Sequence, residues 1–134
     1  MGGRLAAAVG LAVLGLAAGR YTAGQEQEQE QERGWAAYDG RDWRGFTPAE
    51  KRAYVMGFLA AGALADAGRA GAEGPAALGR VIDSLSRGGG LRFPFGHTVY
   101  VTQLDEYYWW ENHRPTRLYL ALWEVNRRLA THER

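Results

Sequence analysis

Cysteine is absent from this 134-residue chain. Disulfides and thiolate metal sites are therefore excluded, and so is lipid attachment through a cysteine after an apolar leader. Charge of one sign is also lacking. Sixteen basic side chains face fifteen acidic ones, for a formal charge of +1. Setting aside Arg4 and Arg20 leaves 14 basic against 15 acidic groups, so no electrostatic argument points to nucleic acid. Apolar runs long enough for a membrane span are missing as well. The longest, Leu5 to Gly19, holds 15 residues, short of the roughly 20 that a permanent helical anchor needs.

Catalytic signatures are equally scarce. The three histidines, His97, His113 and His132, are far apart and show no i, i+4 ligand spacing. His113 reads as a surface or cap residue, and His132 as part of a terminal tail. Ser84 and Ser86 lack a GxSxG context. Gly88, Gly89 and Gly90 follow a helical pattern rather than a strand, and no Lys-Ser/Thr pair comes after them, so a phosphate cradle is not indicated. Asp105 and Glu106 are adjacent. On a helix they point about 100° apart, which suits a solvated face better than a carboxylate dyad. The expectation is a protein without catalytic residues, metal ligands or cofactor.

What is present begins with "MGGRLAAAVGLAVLGLAAGRYTAG". Arg4, the apolar run and the small residues after it predict an export signal over residues 1–24, cleaved after Gly19 or Gly24, and a periplasmic or secreted destination. An uncleaved signal that tethers the chain to the membrane is the alternative. Residues 25–33, built on "QEQEQEQE", have nothing to bury and repel one another, which predicts a disordered spacer. Residues 34–134 then form a single domain. From Arg33 onward the chain carries 14 basic and 11 acidic side chains.

The body reads as all-α, a small bundle of about four helices that ends in a helical hairpin. In "GWAAYDGRDWRGF" Gly40 and Gly45 limit any element to a short helix or turn, from which Trp35, Tyr38, Trp43 and Phe46 pack onto the body. Thr47, Pro48 and Glu50 form a capping box with proline at the first helical position, predicting a helix from Pro48 to about Ala67. Val55, Phe58, Leu59 and Gly62 share its apolar face, and Gly57, Ala61 and Ala65 form a small-residue row suited to close helix approach. Asp66 near its end is expected to pair with an arginine or to reach water. Pro75 opens another helix with the stripe Leu78, Val81, Ile82 and Leu85, and the triple glycine ends it. The following "LRFPFG" loop is expected to tuck Phe93 and Phe95 against the core.

"HTVYVTQLDEYYWWEN" carries two signals. "TVYVT" is rich in β-branched residues, yet Tyr100, Val101, Leu104, Tyr107 and Tyr108 share one helical face. A helix from Val99 to Glu111, capped by Thr98, is favoured. From Pro115 onward, Leu118, Leu122, Val125 and Leu129 repeat at i, i+4, i+7 and i+11. The short "NHRP" linker implies that the two helices lie nearly antiparallel.

The run Tyr107, Tyr108, Trp109, Trp110 cannot be hidden on one helical face. With Leu104 at 0°, the tyrosines fall near −60° and +40°, and the tryptophans near +140° and −120°, at about 100° per residue. The tyrosines therefore belong to the core. The tryptophans are either covered by segments that turn back over them, or they form a surface for a partner protein. In that second reading Tyr119 and Trp123, one turn apart on the last helix, extend the patch. His113, Arg114 and Arg117 rim it. A pocket for a small molecule or a cell-wall fragment, lined by the same aromatics, is a further alternative.

Two segments, "KRAYVMGFLAAG" and "LDEYYWWENHRPTRLYLALWEVNRRL", together resemble the Rap1a/Tai type of periplasmic immunity protein and a wider set of small exported bacterial helical proteins with a similar ending. The resemblance covers about half the chain. It implies an all-helical, non-enzymatic, protein-binding role, and it transfers no catalytic residue.

Overall fold

A computed structural model describes residues 34–132. The expected leader and spacer lie outside them. By internal contacts the chain divides into two units, residues 1–37 and Tyr38 onward. Of the first, only residues 34–37 are described. They form one 3₁₀ turn, Trp35–Ala37, closed by the Ala37 amide donating to the Gly34 carbonyl at 2.8 Å. The expected packing of Trp35 onto the body therefore concerns a residue of the other unit.

The second unit is all-helical. Its helices are α1 (Gly40–Gly45), α2 (Pro48–Arg69), α3 (Pro75–Gly88), α4 (His97–Tyr107) and α5 (Leu118–His132). No strand occurs among the described residues, and the β-branched "TVYVT" lies inside α4. Apolar burial on one helical face outweighs local β-propensity there. Tyr100, Leu104, Tyr107 and Tyr108 are all buried on that face.

The two capping boxes are complete. Thr47 and Glu50 satisfy each other's backbone amides at the start of α2, and Asp39 and Asp42 do so at the start of α1. The second box was missed because aspartate at the third position replaces the usual Glu or Gln. The helix α2 extends two residues past Ala67, to Arg69.

The core joins α1, α2, α4 and α5. Trp43, Val55, Tyr100, Leu104, Tyr108, Leu118 and Leu122 are its largest sealed side chains. Phe58, Leu59, Phe93, Phe95 and Leu129 pack around them. The helix α3 packs on α2 with its leucine-rich stripe only half-buried, and contributes no fully buried residue. Gly89 ends it at φ +69°, a left-handed conformation that favours glycine.

Two packing expectations change. The row Gly57, Ala61, Ala65 is exposed and receives no helix from among the described residues. Close approach occurs at Gly62 instead, where a Cβ would stand 3.3 Å from the Phe93 ring. Phe93 arrives there because Asp66 holds the loop. Its buried carboxylate pairs with Arg69 and accepts the Arg92 amide at 2.8 Å. Phe93 then meets Phe58 edge-on at 5.0 Å between centroids.

Both ends of α4 also differ from expectation. Gly96, rather than Thr98, is the N-cap, and it supplies no side-chain hydrogen bond. The helix stops at Tyr107 instead of Glu111. The last helix starts at Leu118 rather than near Pro115, because the preceding backbone is engaged elsewhere. Gly40 donates to the Arg114 carbonyl and Leu118 to the Tyr38 carbonyl, both at 2.9 Å. Residues 38–40 are thus laced to residues 114–118, and the connection between α4 and α5 is longer than "NHRP". The contacts Tyr107–Glu124 and Tyr100–Asn126 run in opposite chain directions, as in a hairpin.

Candidate functional site

The end of α4 decides where the four rings go. Tyr107 and Tyr108 complete its apolar face and are 5% and 1% exposed. Tyr108 is sealed from two sides. Its hydroxyl donates to the Thr116 carbonyl at 2.8 Å, and Gly40 lies against its ring. The chain then leaves the helix. Trp109 donates to the Glu106 carbonyl at 3.2 Å, and Trp110 is extended at φ −79°, ψ 128°. A 3₁₀ turn, Glu111–His113, follows, with His113 donating to the Trp110 carbonyl at 3.1 Å. Among the described residues no later segment folds back over the indoles. Trp109 is 77% and Trp110 62% exposed. The helical-wheel placement of the indoles was right in outcome, although the helix it assumed ends before them.

A cleft of about 470 Å³ opens beside Trp110, lined by Gln103, Glu106, Tyr107, Trp110, His113, Val125, Arg128 and Leu129. Tyr107 is its fixed point. The His113 ring stacks on it at 4.2 Å with an 18° tilt, and the Arg128 guanidinium lies 5.3 Å from its centroid. Its hydroxyl donates to Glu124 at 2.8 Å, and Arg128 Nη2 donates to the same carboxylate at 2.6 Å. Those two hydrogen bonds, with the Tyr107 bond first, hold the Glu124 carboxyl below its usual range. Burial raises the Tyr107 phenol. His113 Nδ1 is 2.9 Å from the Tyr107 carbonyl. A carbonyl can only accept, so Nδ1 carries the proton, and Nε2 of the neutral ring is an acceptor.

The structure divides the seven residues read from the sequence as a partner surface. Trp110 and His113 share the cleft, and Trp109 stands next to them in sequence, exposed. The Arg114 backbone lies against Gly40, and its guanidinium pairs with Glu111 at 3.1 Å. Arg117 forms a backbone bridge with Asp39. Tyr119 lies near Tyr54, whose phenol is raised first by burial and then by the neighbouring Tyr119. Trp123 is 55% exposed, with the Arg127 guanidinium 5.6 Å from its ring. By helical periodicity Trp123 points about 140° away from Arg128, so it faces another side of α5 than the cleft.

Sequence reasoning missed Gln103, Glu106, Glu124 and Arg128. The i, i+4 spacing of Glu124 and Arg128 was the available signal. The two adjacent acids on α4 also part company. Glu106 rims the cleft, whereas Asp105 accepts from Trp43 Nε1 at 2.8 Å and from Lys51 at 2.7 Å. Asp105 is exposed, as its place on a solvated face implied, and is in addition a structural tie. His97 lines a separate depression of about 340 Å³ with Lys51, Arg52 and Asp105. Among the described residues no three histidine, aspartate or glutamate side chains converge as a metal site. Comparison with protein families, curated proteins and solved structures finds no match to this chain.

Proposed function

We propose that this chain is an exported helical protein that works by binding, capturing a protein partner on the exposed indoles Trp109 and Trp110. One observation carries the reading. Four consecutive aromatic residues divide into two buried tyrosines and two tryptophans that are 77% and 62% exposed. Exposed indoles keep a large apolar area in water, and tryptophan is among the most frequent anchors of protein interfaces. The role that fits is inhibitor-like, as in the immunity proteins the sequence resembles, or that of an accessory protein of the cell envelope.

The test is capture of a purified or crosslinked partner from the envelope fraction, with wild type and the Trp109→Ala/Trp110→Ala variant side by side. The variant is expected to lose the partner and keep its helical circular dichroism. Loss of helicity, or an unchanged set of captured proteins, would refute the assignment. Whether the leader tethers the chain is answered by the mass of the exported protein, since loss of 19 or 24 residues excludes a tether. A second reading, a site for a small molecule, is favoured by the cleft beside Trp110.

A further inference from the structure

The cleft has the size and preformed walls of a small-ligand site. Its volume, about 470 Å³, lies within the several hundred cubic ångströms typical of such sites. Tyr107 is held by the His113 stack, by Arg128 and by the bond to Glu124, so that wall of the cleft is ordered before binding.

The chemistry of the lining narrows the ligand. One carboxylate, Glu106, and one guanidinium, Arg128, face the same space. The Arg128 charge is already met by Glu124 at 2.6 Å and Glu106 repels anions, so an anionic ligand is disfavoured. The remaining polar groups mix donors and acceptors: the Gln103 amide offers both, and His113 Nε2 accepts when the ring is neutral. Groups that each donate and accept, as adjacent hydroxyls do, match such a set. Trp110 supplies an exposed aromatic wall, and Val125 and Leu129 supply apolar contact. These suit the C–H face of a ring. We propose that the cleft binds a neutral saccharide of one or two rings, with Trp110 as its stacking platform and Glu106 and Gln103 as hydroxyl partners.

This inference makes no use of Trp109 and goes beyond the partner reading. The full chain is titrated with cellobiose, maltose and N,N′-diacetylchitobiose, followed by tryptophan fluorescence and by indole N–H resonances. At least one disaccharide is expected to bind saturably and to shift the Trp110 indole while leaving that of Trp123 in place. Trp110→Ala should weaken binding about tenfold, the equivalent of one good contact. Glu106→Gln, at an exposed position that keeps the shape, should weaken it severalfold, which keeps the test open should the alanine variant misfold. Trp109→Ala should bind sugar normally while losing the protein partner, which separates the two hypotheses. Three silent titrations would overturn the proposal. So would binding that survives Trp110→Ala, or tighter binding of the charged monosaccharides glucuronate or glucosamine than of the neutral disaccharides.

Discussion

At the residue scale, the site depends on small side chains and shared protons. Gly40 is the tightest point. A Cβ there would stand 2.6 Å from Tyr108 Cε1 and 2.9 Å from the Arg114 Cα. Tyr108 is sealed and Arg114 is held by a backbone bond, so neither can retreat cheaply. Gly40→Ala should lower stability by about 1–3 kcal/mol, the range for overpacking. A urea titration that leaves the midpoint unchanged would contradict this. Glu124 offers a pH test. Its folded pKa lies below the ordinary 4.5, so the folded state binds this proton less tightly than the unfolded chain. The resulting stability is present above about pH 4.5 and is lost as pH falls through the folded value. Tyr107→Phe removes the largest cause, and the Glu124 carboxyl should then titrate closer to 4.5 in a carbon NMR titration. An unchanged titration would show that Arg128 alone sets it.

At the scale of elements, one carboxylate ties three helices. Asp105 on α4 accepts from the indole of Trp43 on α1 and from the ammonium of Lys51 on α2. Lys51 also lies 5.2 Å from the Trp43 ring centroid. Trp43 is fully buried, so removal of its acceptor leaves an N–H in the core without a partner. Asp105→Ala should cost about 1–3 kcal/mol on that account. Asp105→Asn keeps an acceptor oxygen and should cost less. Equal losses in denaturant unfolding would mean that charge, rather than the indole bond, is what matters. The pattern of Asp105 was legible only as an exposed helical acid, because its partners are 54 and 62 positions away in the chain.

At the scale of the whole molecule, a tyrosine-rich core makes the fold sensitive to alkali. Burial pushes the phenols of Tyr54 and Tyr100 from 10.0 up to about 12, and raises Tyr108 further. Below pH 10 these groups are protonated whether the chain is folded or unfolded. Above it the unfolded chain ionises first, so stability falls progressively between about pH 10 and pH 12. Phenolate absorbance of the buried tyrosines should therefore rise together with loss of helical circular dichroism. Smooth ionisation near pH 10 with the helices intact would show that these rings are open to water. The Tyr54 hydroxyl is buried without a hydrogen-bond partner among the described residues, and desolvation, followed by the nearby Tyr119 and Tyr38 phenols, keeps it from ionising.

Local chemistry was enough to determine the helical class, the Thr47–Glu50 start of α2, the glycine stop of α3, the leucine stripe of α5 and the inward turn of both tyrosines. Each of these depends on periodicity or on groups within a few residues of one another. Tertiary structure decided the rest. It set the true end of α4, the lacing of residues 38–40 to residues 114–118, the exposure of the Gly57 row, and the gathering of Glu106, Tyr107, His113 and Arg128 around one cleft. Those outcomes depend on where distant backbone groups find their hydrogen bonds and on which helix face is covered, and neither is written in the spacing of neighbouring residues.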